Sequence, residues 1–156
     1  MRRVNKLNGT ILSNGAELLD IGNGLKIGLT QLGVWQVCAK NAQFDLRDCE
    51  DFWRVVTLLE YPFSHVDCMF KEYAEKIGAK DCFPLWKVVG AGLTFEMEYW
   101  ANLALVWFPQ LAQDEQIMLS GLLEKVERST WASQKSRQLA RCYAKPFRRY
   151  VKKTQE

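Results

Sequence analysis

His65 is the only histidine in the chain of 156 residues, and Cys68 follows it by three positions in a stretch predicted to be helical. That spacing places both side chains on one helix face. A thiol and an imidazole there could form a catalytic pair or supply two ligands to a metal ion. Either chemistry needs more groups, and Cys49 or Cys82 would have to approach through the fold. We favour a surface histidine beside a buried thiol, and expect no catalytic residue, no metal site and no cofactor.

Four carboxylates cluster between the predicted sheet and the first predicted helix: Asp45, Asp48, Glu50 and Asp51. We call this set the acidic turn. Two of these groups could serve as acid and base or bind Mg²⁺, although helix capping by Asp45 or Asp48 and a solvated face explain most of them. A further interpretation is an acidic surface that meets a basic protein, because charge complementarity commonly selects partners. We predict that the acidic turn binds the protein partner.

The C-terminal segment is strongly basic. Residues 128–156 hold nine Lys/Arg and one Asp/Glu, a net charge of +8, whereas residues 1–127 hold 12 Lys/Arg and 17 Asp/Glu, a net charge of −5. Cations interleaved with aromatic residues are the usual footprint of proteins that bind phosphate backbones. Nucleic-acid binding is therefore the alternative function, against the plainer interpretation of a solvated helix face and a frayed tail. Its predicted site is Arg137, Arg141, Lys145, Arg148 and Arg149.

Turn dipeptides and alternating hydrophobicity predict β-structure in residues 1–40. Asn23-Gly24 separates the apolar runs 18–21 and 25–29, which is a strong hairpin signal. Residues 34–39 would add a third strand. The simplest arrangement is an antiparallel meander.

From residue 45 to residue 153 the period becomes helical, and five to six helices are predicted. The first has a buried stripe of Phe52, Val55, Val56 and Leu59, the second starts at Ser64 with Asp67 in a capping box, and the third covers 83–89 and breaks around Gly90 and Gly92. A fourth helix spans 94–108 with Thr94 as its cap, a fifth spans 112–127, and Ser129 or Thr130 caps the last. The helix at 94–108 is apolar around most of its circumference, so we expect the others to pack around it.

These elements predict an α+β fold in a single domain, 1–156, with a β-rich part at 1–40 and a helical part at 45–153. The N-terminus lacks the apolar core of a signal peptide, and no stretch has the roughly 20 apolar residues that span a bilayer. Five widely spaced cysteines are typical of free thiols in a reducing compartment. We therefore expect a cytoplasmic protein.

Two stretches carry a resemblance to a known group of proteins. Residues 99–107 resemble a Tyr-Trp-x-x-Leu-Ala-Leu-x-Trp helix, and residues 131–137 resemble a Trp-x-Ser-Gln-x-x-Arg segment. Together they are similar to cytoplasmic immunity proteins of bacterial polymorphic toxin systems, including contact-dependent growth inhibition. The resemblance implies that the matched residues mainly build the helical core: Trp100, Ala104, Trp107, Trp131 and Gln134.

The resemblance also implies a function. Such proteins are not enzymes; each binds one cognate toxin domain, often a nuclease, and blocks its active site or the access of its substrate. We therefore predict an immunity-type protein that neutralises a toxin domain in a tight stoichiometric complex.

Overall fold

The structure is a computed structural model that describes residues 17–149. Its antiparallel sheet consists of β1 Leu19–Gly22, β2 Leu25–Leu29, β3 Trp35–Ala39 and β4 Ala42–Leu46, in sequence order. The helices are a 3₁₀ helix Asp51–Glu60, α1 Phe63–Ile77, α2 Leu85–Thr94, α3 Glu98–Trp107, α4 Gln113–Glu127 and α5 Gln134–Ala144, with short 3₁₀ turns at Phe108–Gln110 and Lys145–Phe147. The predicted α+β fold is confirmed. Residues 1–16 and 150–153 of the predicted β-rich and helical parts lie outside the described range.

The predicted hairpin joins β1 and β2. Its turn has positive φ angles at Gly22, Asn23 and Gly24, a conformation that glycine and asparagine adopt at little cost. On the inner face of the sheet Ile27 pairs with Val37 across β2 and β3, and both side chains are buried. The predicted meander is thus present, with its apolar face towards the helices.

β4 is a strand that the sequence analysis missed. It pairs with β3 in a register that matches Gln36 with Asp45 and Val37 with Phe44. Asp45 is therefore a strand residue, and its predicted role as a helix cap is wrong. The alternation of Gln43 and Asp45 with apolar neighbours covers only five residues and runs directly into the acidic turn, which concealed its period of two.

Asp51 organises the start of the helical part. Its carboxylate accepts hydrogen bonds from the backbone N–H groups of Arg47, at 3.0 Å, and Asp48, at 2.9 Å. Asp48 thus donates its backbone N–H in this turn. Its side chain does not cap the helix, contrary to prediction. The predicted buried stripe is correct, although the 3₁₀ helix bends at Val55, where φ is −120° and ψ is 17°.

Helix capping differs from the prediction at α1 and α5. The first of these helices begins at Phe63 without a side-chain cap, and Asp67 forms an ion pair with Lys71 at 2.7 Å instead of a capping box. Ser133, not Ser129 or Thr130, caps α5 and accepts a hydrogen bond from the backbone N–H of Ser136 at 3.1 Å.

The predicted break at Gly90 and Gly92 does not occur, because both glycines lie inside α2 and serve close packing. A Cβ atom on Gly90 would lie 2.7 Å from the Cys49 sulfur, and one on Gly92 would lie 2.7 Å from a Leu59 methyl group. Thr94 belongs to the same helix, where its hydroxyl donates to the carbonyl oxygen of Gly90 at 2.7 Å, so it is not the predicted cap of the next helix. Glycine here lets neighbouring elements approach the backbone of α2.

The helix predicted at 94–108 is present as the shorter α3, which packs on α2, α5 and the 3₁₀ helix Asp51–Glu60. Its buried face holds Ala101, Ala104, Leu105 and Trp107. An aromatic cluster elsewhere joins the sheet to the helices: the rings of Trp35 and Phe83 lie 5.4 Å apart, and Phe83 stacks on Phe70 at 4.1 Å. One continuous core therefore runs from the sheet through the helical part.

Candidate protein interface

The acidic turn is brought together by the fold, but two of its four carboxylates have structural partners. Asp45 accepts a hydrogen bond of 2.6 Å from the Gln36 side chain and two from Arg47 at 3.2 and 3.3 Å. The bond from Gln36 is the main reason that the pKa of Asp45 lies below its ordinary value. Asp51 holds the turn, as described above. Asp48 and Glu50 are exposed, and neither forms an ion pair within residues 17–149.

Cations surround the acidic turn and make its charge mixed. The Arg54 guanidinium lies 3.5 Å from the centre of the Phe44 ring, and the Lys87 ammonium donates to the carbonyl oxygen of Arg47. Lys87 also lies 5.5 Å from the Trp86 ring. Asp48 and Glu50 are therefore the carboxylates of this set that remain available to a partner, and the role of the acidic turn stays a prediction.

Trp86 also lines a groove that sequence reasoning missed. It has a volume of about 550 Å³ and opens between α1, the N-terminal end of α2 and the N-terminal end of α4. We call it the acidic groove. Its walls include the apolar side chains Phe63, Phe83, Leu85, Trp86 and Leu111, and its charged lining is Asp67, Lys71, Asp81, Asp114 and Glu115.

The acidic groove carries unbalanced negative charge. Lys71 pairs with Asp67, and among the described residues that line the groove it is the only cation opposite four carboxylates. The pKa of Glu115 is raised above its ordinary value, chiefly by burial and then by the negative charges of Asp114 and Asp67. Like charges held together in this way repel one another, and an added cation would relieve that repulsion.

The residues of this groove come from three separate segments, 63–71, 81–86 and 110–115. In the sequence Asp114 and Glu115 look like ordinary acidic residues in the first turn of a helix, where they complement the helix dipole. Only the packing of α4 against α2 brings them opposite Asp81. A single sequence offers no pattern from which that juxtaposition could be inferred.

The outer face of α3 and the residues beside it expose several large apolar side chains. The exposed fractions are 54% for Tyr99, 58% for Val106, 47% for Met97 and 46% for Tyr61. We call these four residues the outer face of α3. Tyrosine, with its rigid ring and polar tip, is enriched at protein interfaces.

Two hydrogen bonds hold the outer face of α3 in place. The Tyr99 hydroxyl donates to the Glu60 carboxylate at 3.0 Å, which is the main reason that the pKa of Tyr99 is raised. The Trp107 indole donates to the backbone carbonyl of Tyr61 at 3.0 Å. Phe63 packs edge-on against Trp107, with ring centres 5.2 Å apart, and also lines the acidic groove. Trp107 therefore connects the outer face of α3 to that groove.

Glu98, the residue directly before the stretch 99–107, joins the two stretches that carry the family resemblance. Its carboxylate accepts hydrogen bonds from the Ser133 backbone N–H at 2.9 Å, the Ser133 hydroxyl at 2.6 Å and the Ser136 hydroxyl at 2.8 Å. Burial raises the pKa of Glu98, but these bonds outweigh burial and the net shift is downward. The second stretch thus anchors α5 to the start of α3. Its matched residue Ser133 helps to fix how these two helices pack.

The basic residues of the alternative site run from α5 into the residues that follow it, and an acidic residue of α4 engages two of them. Glu127 accepts hydrogen bonds from Arg148 at 3.1 and 3.3 Å, and the Arg141 side chain approaches it at 3.7 Å. Lys145 and Arg149 are exposed, and Arg137 is half-buried. Arg141 and Arg148 therefore help to tie α5 and the residues after it to α4, and nucleic-acid binding stays a prediction.

His65 and Cys68 do not form a pair. Both are exposed on α1, so the expectation of a buried thiol is wrong. The Cys68 thiol donates to the Glu72 carboxylate at a distance of 3.6 Å. Within residues 17–149 no group of three or more His, Cys, Asp or Glu side chains is arranged to hold a metal ion.

In comparisons with known proteins, no protein family, curated protein or solved structure matches this chain. None of the helices in the described residues is long and apolar enough to cross a membrane.

Proposed function

We propose that this protein is an immunity-type binding protein that neutralises a cognate toxin domain by forming a tight stoichiometric complex. The observation that carries the proposal is the outer face of α3, where Tyr99 and Val106 stand more than half exposed on a helix whose opposite face is buried. A rigid helix that presents aromatic and aliphatic anchors is suited to protein capture.

The resemblance of residues 99–107 and 131–137 to immunity proteins supports the same function. The first stretch lies in α3, the second enters α5 at Gln134, and Glu98 links the two, so the part of the chain with the resemblance also supports the outer face of α3. A stable complex requires about 1,600 Å² of buried surface in total. The outer face of α3 and the acidic groove, which Phe63 and Trp107 connect, could together form such a surface.

The proposal is tested by co-expression. The candidate toxin domain is the C-terminal region of the protein encoded immediately upstream. It is expressed alone and together with this protein, surviving cells are counted, and the two chains are purified to determine whether they form a one-to-one complex. Rescue with a stable complex is the expected result. A harmless upstream product, or killing that this protein does not prevent, would contradict the proposal.

The outer face of α3 is tested by truncating its anchors. We expect Tyr99→Ala and Val106→Ala each to weaken toxin binding by about tenfold or more, the usual effect of removing an interface anchor. The measurement is titration calorimetry with the purified toxin domain. Met118→Ala is the matched control, because Met118 is 67% exposed on α4 and does not belong to this face. Equal affinities for all three variants would place the interface elsewhere.

A further inference from the structure

We infer that the acidic groove receives a segment of the toxin domain that bears lysine or arginine beside an apolar side chain. This inference rests on the proposed function and names the chemistry of the partner. It is drawn from the combination of apolar walls and one-sided charge in a groove of about 550 Å³.

The walls of the acidic groove would accept an apolar side chain. Trp86 and Phe63 line the groove and are half-buried, whereas the lining residues Phe83, Leu85 and Leu111 are buried. Aromatic side chains in a concave surface bury a large area on binding. An apolar side chain of the partner would therefore displace water from these walls.

The charge of the groove selects a basic segment over an acidic or neutral one. Lys71 already has a carboxylate partner in Asp67, whereas Asp81 and Asp114 make no ion pair within the described residues. Glu115 is held beside Asp114 with its charge disfavoured. A guanidinium or ammonium group in the groove would be attracted to the unpaired carboxylates that line it, whereas a carboxylate would be repelled.

The position of the groove agrees with a partner that is already seated on the outer face of α3. Tyr61 of the outer face of α3 lies two residues before Phe63, which lines the groove, so a protein that covers Tyr61 lies close to the groove. Continuity between the two surfaces lets a single partner use both. The apolar face then supplies anchors and the groove supplies a preference for positive charge.

The inference is tested first with a defined probe. The probe is a short fluorescein-labelled peptide in which lysine and arginine alternate with leucine and tryptophan, and binding to the full chain is followed by fluorescence anisotropy. We expect binding that weakens as salt is added, since the ion pairs are partly solvent-exposed. The triple variant Asp81→Asn, Asp114→Asn, Glu115→Gln should bind the peptide about tenfold more weakly, the scale of several screened ion pairs lost together.

A control with the same change in net charge separates the groove from general attraction. The variant Glu72→Gln, Glu75→Gln, Glu124→Gln removes three carboxylates outside the groove. It should bind the peptide within about twofold of the unmodified protein, at equal ionic strength. Equal weakening in the two triple variants, or no weakening in either, would overturn the inference.

The toxin domain itself distinguishes failure of the inference from failure of the proposed function. If the groove variant still neutralises the toxin with undiminished affinity, the inference is wrong while the proposed function stands. If neutralisation is absent with the unmodified protein but the peptide binds in the groove, the proposed function is wrong and the groove is still a site for basic segments. Thermal unfolding checks that the groove variant folds, which we expect because its substitutions remove mutual repulsion.

Discussion

At the scale of single residues, Glu98 shows how one carboxylate can hold two helices together. It accepts three hydrogen bonds from Ser133 and Ser136 across 35 and 38 positions of the chain. Its place in the first turn of α3 is one where an acidic residue ordinarily complements the helix dipole. Its role could not be inferred because it depends on the docking of α5 beside the start of α3.

We predict that Glu98→Ala lowers the free energy of unfolding by about 2 kcal/mol, since hydrogen bonds to a charged group contribute ~1.5–3 kcal/mol and two serine donors would lose their acceptor. The pKa of Glu98 is lowered from its ordinary value of 4.5 in the folded state. The stabilisation is therefore present above pH 4.5 and is lost as the pH falls through the lower, folded-state pKa. Urea denaturation at several pH values measures both effects.

Glu96→Ala is the control for that measurement. Glu96 is exposed, lies two residues earlier and makes no side-chain hydrogen bond within the described residues. We expect it to change the free energy of unfolding by less than about 0.5 kcal/mol. Similar losses in both variants, or a Glu98 effect that does not shrink in acid, would show that the hydrogen bonds from the serines contribute little.

At the scale of elements, α2 shows where local signals mislead. Gly90 and Gly92 read as a helix break because glycine has a low helix propensity. Because glycine has no side chain, α3 can pack closely against α2 here. A Cβ on Gly92 would lie 2.9 Å from the Ala104 Cβ and 3.1 Å from the Trp100 carbonyl oxygen. Packing between distant segments overrides the local preference, and that packing is not visible in one sequence.

We predict that Gly92→Ala lowers the free energy of unfolding by about 1–3 kcal/mol, although alanine has the better helix propensity. The added methyl group would clash with the backbone and Cβ atoms of α3, which cannot move aside as a flexible side chain could. Chemical denaturation of the variant and the unmodified protein gives the value.

Gly121→Ala provides the opposite case in α4. Nothing lies within 4 Å of a Cβ added at Gly121, so the substitution should gain helix propensity without a clash. We expect a rise in the free energy of unfolding of about 0.5–1 kcal/mol. A stabilising Gly92→Ala would mean that α3 does not pack on α2 as closely as described.

The elements with a clear period were the ones that the sequence predicted. The helix predicted at 112–127 and the predicted hairpin are present as α4 and β1–β2, because the apolar stripe of 119, 122, 123 and 126 and the Asn23-Gly24 turn are local signals. β4 and the cap of α5 were missed since a strand of five residues and a choice among four nearby hydroxyls carry little local information. The acidic groove could not be predicted from local patterns, because its residues come from three separate segments of the chain.

At the scale of the whole molecule, the five thiols report on the fold. Cys68, Cys82 and Cys142 are exposed, Cys49 is half-buried against Gly90, and Cys38 is buried in β3. Burial raises the pKa of both Cys38 and Cys49, which reduces the reactive thiolate. Alkylation therefore distinguishes surface cysteines from those that the core protects.

We predict that iodoacetamide modifies three cysteines in native buffer, whereas Cys38 reacts at least about 100-fold more slowly because it requires local unfolding. Peptide mapping by mass spectrometry identifies the modified positions over time. All five should react in about 8 M urea, which unfolds the protein. Modification of Cys38 as fast as Cys142 in native buffer would contradict the placement of β3.

The meander has a consequence for how the chain folds. Each strand pairs only with its neighbours in sequence, so closing the hairpins costs little loop entropy, and such hairpins form within about 1–10 µs. Some contacts that attach the sheet to the helices are far more distant in sequence: the Tyr73 hydroxyl of α1 donates to the carbonyl oxygen of Glu17, two residues before β1, across 56 positions. We expect the sheet to assemble early, and the folding rate to be set by its docking onto the helices.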